Sequence, residues 1–121
     1  NDLAEVLRRS KKFDEAERYA RKATEKAPSL YVAWETLGSV LMDAGKGLDE
    51  AEACIRKACE LSKGKDGHAA DIRMLVSLAR VQIRRQDLLH AKVTIRKVRS
   101  RINELSEFER REFESVTKGA R

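Results

Sequence analysis

The chain has 121 residues, with one proline, six glycines and 26 Lys and Arg against 20 Asp and Glu, a formal net charge of +6. That length is one ordinary domain, with enough chain to bury a modest core. No apolar run approaches the roughly 20 residues needed to span a bilayer, and no signal peptide is visible at the start.

Alanine, leucine, glutamate, lysine and arginine dominate and all tolerate helix, so an all-α fold of about seven helices is expected. The first helix is expected over about 2–11. The second, over 14–26, begins in the phrase FDEAE (Phe13 to Glu17). Asp14 is placed to accept from exposed amides as an N-cap, and Glu17 three residues later completes a capping box. Ala16, Ala20 and Ala23 mark one face at steps of four and three. Pro28 stops that helix. The next, over 30–45, carries Trp34, Leu37, Leu41 and Ala44 as an apolar stripe. Gly38 lies inside it, where glycine costs about 1 kcal/mol relative to alanine. Close approach of a neighbouring helix is the expected reason. Gly45 and Gly47 end the helix and allow a tight turn.

LDEAE (Leu48 to Glu52) repeats the earlier phrase and opens a helix over 49–62, with Asp49 as N-cap and Ala51, Ile55 and Ala58 inward. Its two cysteines, Cys54 and Cys59, are five residues apart on a helix and poorly placed for a disulfide. Free thiols favour a reducing, cytoplasmic setting. Further on, helices are expected over 68–86 and 88–104. Leu75, Leu78, Ala79, Ile83, Ala91, Ile95 and Val98 sit at compatible spacings, and Ile102 and Leu105 extend the stripe. LLHAK (Leu88 to Lys92) keeps the packing positions of the earlier phrases but loses their acidic cap. SEFE (Ser106 to Glu109) is another capping box and opens a last helix over 107–118, with Phe108, Phe113 and Val116 as its apolar residues.

A Trp-x-x-Leu-Gly-x-x-large pattern, then Ala-x-x-x-large-x-x-Ala, then proline, resembles the tetratricopeptide repeat signature. Trp34, Leu37, Gly38, Leu41, Ala51, Ile55 and Ala58 carry it in one copy. Leu3, Ala4, Leu7, Ala16, Ala20, Ala23 and Pro28 carry it in the preceding one, and the third copy is degenerate. The resemblance implies repeats at about 1–30, 31–64 and 72–104 and a capping helix at 107–118. These would stack as antiparallel pairs into a right-handed α–α superhelix within one domain over 1–121. Asn1 reads as the start of a fragment, so a longer parent protein is expected. The offset between the two acidic phrases is 35 rather than the usual 34, and the extra residue is assigned to Gly47.

No catalytic constellation, metal ligand set, phosphate loop or cofactor motif is read in the chain, so an enzyme is not expected. His68 and His90 have no cysteine or carboxylate at ligand spacing. The expected function is a protein–protein interaction scaffold, and the resemblance implies a concave groove lined by the first helix of each pair. Candidate partner-binding positions are Arg8 and Arg9 in the first repeat, where Glu5 also falls, Glu35, Ser39 and Met42 in the second, and Arg73, Ser77, Arg80 and Arg84 in the third. Three arginines on one stripe can grip carboxylates through paired donors, which favours an acidic or extended partner segment. Residues 65–101 reinforce this, with ten basic and three acidic side chains. Lys92, Arg96 and Arg99 form a further basic stripe. Family members that clamp a chaperone's C-terminal carboxylate use asparagines in the groove. The only asparagines here, Asn1 and Asn103, fall outside it. Nucleic-acid binding by 65–101 is the alternative, opposed by the absence of any aromatic between Lys65 and Arg101. A purely structural solenoid segment of a larger protein is the third reading.

Overall fold

The structure, a computed structural model, describes Leu3, residues 12–63 and residues 69–118. Of the helix expected over 2–11 only Leu3 is described; Glu5, Arg8 and Arg9, and the segment holding His68, lie outside the described residues. The described residues are all-helical, with no strand. Among the described residues from 12 onward six α-helices follow one another: α1 (Phe13–Lys26), α2 (Tyr31–Ala44), α3 (Leu48–Ser62), α4 (Ala69–Arg84), α5 (Leu88–Arg99) and α6 (Glu107–Thr117), with a 3-10 turn at Ile102–Glu104 before the last. The chain divides into two compact units, one ending at Leu61 and the other beginning at Ser62.

In the first unit α1 packs on α2, with Ala16 and Val40 fully buried together. Lys26 ends α1 just before Pro28, whose carbonyl accepts from Trp34 Nε1 at 2.8 Å. Gly38 has the role expected of it. A Cβ there would lie 2.6 Å from Ile55 Cγ1 and 3.0 Å from the Ala51 carbonyl, so α2 meets α3 where only glycine fits. Gly45 then closes α2 at φ 72, with its N–H donating to Met42 O and the Lys46 N–H to Leu41 O. This pair of bonds is a Schellman ending.

The acidic phrases start helices, but one residue earlier than expected, and this changes what their carboxylates do. Lys12 is the N-cap of α1 and makes no side-chain cap bond, so Asp14 lies inside the first turn. In α3 the Ala51 N–H donates to Gly47 O at 2.8 Å, and Asp49 also lies inside the first turn. Neither aspartate is an N-cap. Their charge still faces the positive end of the helix dipole. Glu17 and Glu52 serve ion pairs instead of capping boxes. Arg21 donates to both oxygens of Glu50 at 2.8 Å and, through Nε, to Glu17 at 2.9 Å, which joins the two phrases across α1 and α3. Lys46 lies 3.3 Å from Glu17. Hydrogen bonding to Arg21 holds the carboxyls of Glu17 and Glu50 below their ordinary range. Glu52 pairs with Arg56 one turn on, at 2.8 Å.

In the second unit α4 packs against α5 and also contacts α6. Ile72, Val98, Leu105 and Phe113 form its core, with Leu75, Val76, Ile95 and Ile102 against it. The α4–α5 turn repeats the ending of α2. Gln86 takes the left-handed position at φ 62, the Asp87 N–H donates to Gln82 O, and the Gln86 N–H donates to Ile83 O. Counting from these matched turns, Gln82 occupies the place of Leu41. It is Gln82 that is fully buried, while Ile83, expected inside, is half-buried.

Two other expectations change. The helix from Leu88 does not run to 104: it ends at Arg99, where Ser100 Oγ donates back to Lys97 O and Arg101 leaves helical geometry at φ −127. Arg101 is held by Asp71 at 2.7 Å and by Glu104 at 2.8 Å, which ties the break to α4. A straight helix would carry Leu105 about 9 Å beyond Arg99. The break instead returns Leu105 to the core beside Phe113. Phe108 is exposed, because five residues of helix place it about 140° around from the buried Phe113. The Ser106–Glu109 capping box is present in both directions.

Candidate functional site

The groove candidates meet different fates. In α2, Ser39 and Met42 are buried, and the Ser39 hydroxyl donates to the half-buried Glu35 at 2.7 Å. In α4 the side chains at 73, 77, 80 and 84 share a face, but they do not form an open row. Arg73 Nε donates to Glu109 at 2.8 Å, Ser77 is buried, Arg80 is half-buried and Arg84 is exposed. Glu109 is thereby held from two sides, by the Ser106 N–H and by Arg73, and these bonds keep its carboxyl below the usual range.

A more open arrangement lies on α5. This helix contains no carboxylate (LLHAKVTIRKVR). Ala91, Thr94 and Val98 are buried at steps of three and four, and Ile95 is half-buried beside them. The opposite side exposes Leu89, Lys92, Val93, Arg96 and Lys97. Leu89 is 76 % exposed and Val93 45 %, and they sit one turn apart. Among the described residues Lys92, Arg96 and Lys97 have no carboxylate partner within ion-pair distance. Arg99, at the edge of this face, is committed to Glu114 at 2.7 Å and lies 5.4 Å from the centroid of the Phe113 ring.

The start of α5 keeps acid away from this face. Asp87 is its N-cap and accepts from the His90 N–H at 3.4 Å, while His90 Nδ1 lies 2.9 Å from the same carboxylate. The acidic cap that LLHAK lacks is therefore supplied by the residue just before it, and His90 has a carboxylate partner after all. The His90 side chain holds the Asp87 carboxyl below its ordinary range. The negative end of the helix dipole accounts for Arg96, Lys97 and Arg99 in the last turn. It does not account for Lys92 in mid-helix, nor for two exposed aliphatic side chains between the cations.

The basic stripe of α5 is legible in sequence, whereas its apolar centre was missed. The available signal was that Leu89 and Val93 fall opposite Ala91 and Val98 on a 3.6-residue helix. Among the described residues no group of three His, Cys, Asp or Glu side chains could hold a metal ion, and no helix is long and apolar enough to cross a membrane. Compared with known proteins, the chain matches no family model, no curated protein and no solved structure.

Proposed function

We propose that the chain is a protein–protein interaction module of helical-repeat type, built from stacked antiparallel helix pairs, that binds acidic partner segments. The observation that carries this reading is the α5 face: three exposed cations without a carboxylate partner among the described residues, on a helix with no acid of its own. The repeat reading is supported by the Gly38–Ile55 approach and by the matching turns at Gly45 and Gln86. The bound partner would supply the carboxylates that the fold withholds from α5. Desolvated Arg and Lys pairs favour association and steer it, with affinity falling as salt rises.

Fluorescence anisotropy with a labelled glutamate-rich peptide tests this. Expected is saturable binding with Kd of about 1–100 μM at low salt, weakening as salt rises. Replacing Lys92, Arg96 and Lys97 together by glutamate should abolish it without loss of helical content. Unchanged binding in that variant, or none in the parent chain, would refute the reading.

A further inference from the structure

We infer that the partner of α5 is an acidic amphipathic helix carrying two aliphatic side chains about one turn apart, docked along Leu89 and Val93. This rests on the proposed acidic-segment function and specifies its ligand. The argument starts from what charge alone leaves unexplained. Leu89 and Val93 are exposed at the middle of the face, with Lys92 and Arg96 on one flank and Lys97 on the other. A purely electrostatic site has no use for aliphatic groups between its cations. A phosphate backbone would leave both side chains in water, and the face offers no aromatic platform for a base. An anionic lipid surface is bound by deep insertion of bulky apolar groups, and Leu89 and Val93, with Leu88 exposed beyond the Lys92 flank, include no aromatic side chain and present little to insert.

A helix laid against α5 matches the pattern. From Leu89 to Lys97 the face runs about 12 Å, the length of two to three turns. Two apolar side chains at i and i+4 of the partner would cover Leu89 and Val93. Glutamates flanking them would then stand opposite Lys92 and Arg96 on one side and Lys97 on the other. The absence of carboxylates on α5 removes like-charge repulsion against such a ligand, and the Asp87 carboxylate at its head is already taken by His90. The apolar pair fixes register and the cations fix the sign of the partner. This division is how a small docking face gains selectivity.

The test uses the full chain and two labelled helical peptides of equal charge. One carries two leucines four residues apart among glutamates, and in the other those leucines are glutamines. The expected result is that the leucine peptide binds about ten-fold more tightly than the glutamine peptide, as partial burial of two aliphatic pairs implies. Leu89→Gln should erase that preference while leaving the glutamine peptide's salt-sensitive binding intact. Because Leu89 is exposed, the variant keeps its fold, which circular dichroism checks. Equal affinities for the two peptides, with no effect of Leu89→Gln, would overturn this inference and leave the acidic-segment function standing. Binding of neither peptide would overturn both. Tighter saturable binding to duplex DNA or to phosphatidylserine vesicles than to the leucine peptide would also overturn it.

Discussion

Thr94 Oγ1 donates to Gln82 Oε1 at 2.7 Å, inside the contact between α4 and α5. Gln82 stands where the first unit has Leu41, and both members of the pair are almost wholly buried. A buried polar pair contributes little net stability but penalises any arrangement that separates it. Thr94→Val should cost about 1–3 kcal/mol by leaving Gln82 Oε1 without its donor. Gln82→Leu should cost less, because the Thr94 hydroxyl also lies 3.1 Å from the His90 carbonyl and can donate there. The double variant should recover most of that loss. Urea unfolding of the four proteins in a mutant cycle measures the coupling, and additive losses would show that the hydrogen bond is not the cause.

The two Schellman turns differ at the left-handed position. Gly45 and Gln86 both adopt positive φ, 72 and 62 respectively, but only glutamine has a Cβ in the left-handed region. Gln86→Gly should therefore raise stability by about 1 kcal/mol, and Gly45→Ala should lower it by a similar amount. Thermal unfolding would reveal the opposite signs.

Acid should loosen the Glu109 junction. Its folded carboxyl is held low, chiefly by the Ser106 N–H and then by Arg73. The unfolded carboxyl titrates near 4.3. A depressed folded value stabilises above the unfolded one and is lost as pH falls through the folded one. Glu109→Gln should therefore lose less stability than the parent chain between pH 6 and pH 3. Equal slopes in chemical denaturation at those pH values would remove Glu109 from the account.

The thiols should react unequally. Burial pushes the Cys54 thiol up to about 11, whereas Cys59 is only half-buried. The thiolate is the reactive form. A maleimide at neutral pH should label Cys59 first and Cys54 only after denaturant is added. Mass spectrometry of partly labelled protein distinguishes the two sites.

Much of this architecture was legible because it rests on local rules. Helix-forming composition, the 3.6-residue stripe of Ala16 and Ala20, the Ser106–Glu109 box and the glycines at 38 and 45 each state their role within a few residues. The exact helix starts were not legible, since Asp14 and Asp49 suit either an N-cap or a first turn. Of the candidate site, the cations of α5 could be read and their freedom could not. Arg73 and Arg99 look as available in the sequence as Lys92 and Arg96, yet their carboxylates come from α6, 36 and 15 residues away.

The sequence by itself determined an all-helical chain, the order of its helices and the concentration of positive charge in 65–101. Those follow from propensity, periodicity and counting, which act between near neighbours. Only tertiary structure decided that the helix from Leu88 breaks at Arg99, that Phe113 rather than Phe108 is buried, and which arginines are neutralised. Each depends on a partner distant in sequence: Asp71 for Arg101, the Ile72 cluster for Phe113 and Glu109 for Arg73. Pairings of that kind are made by packing, and no local pattern announces them.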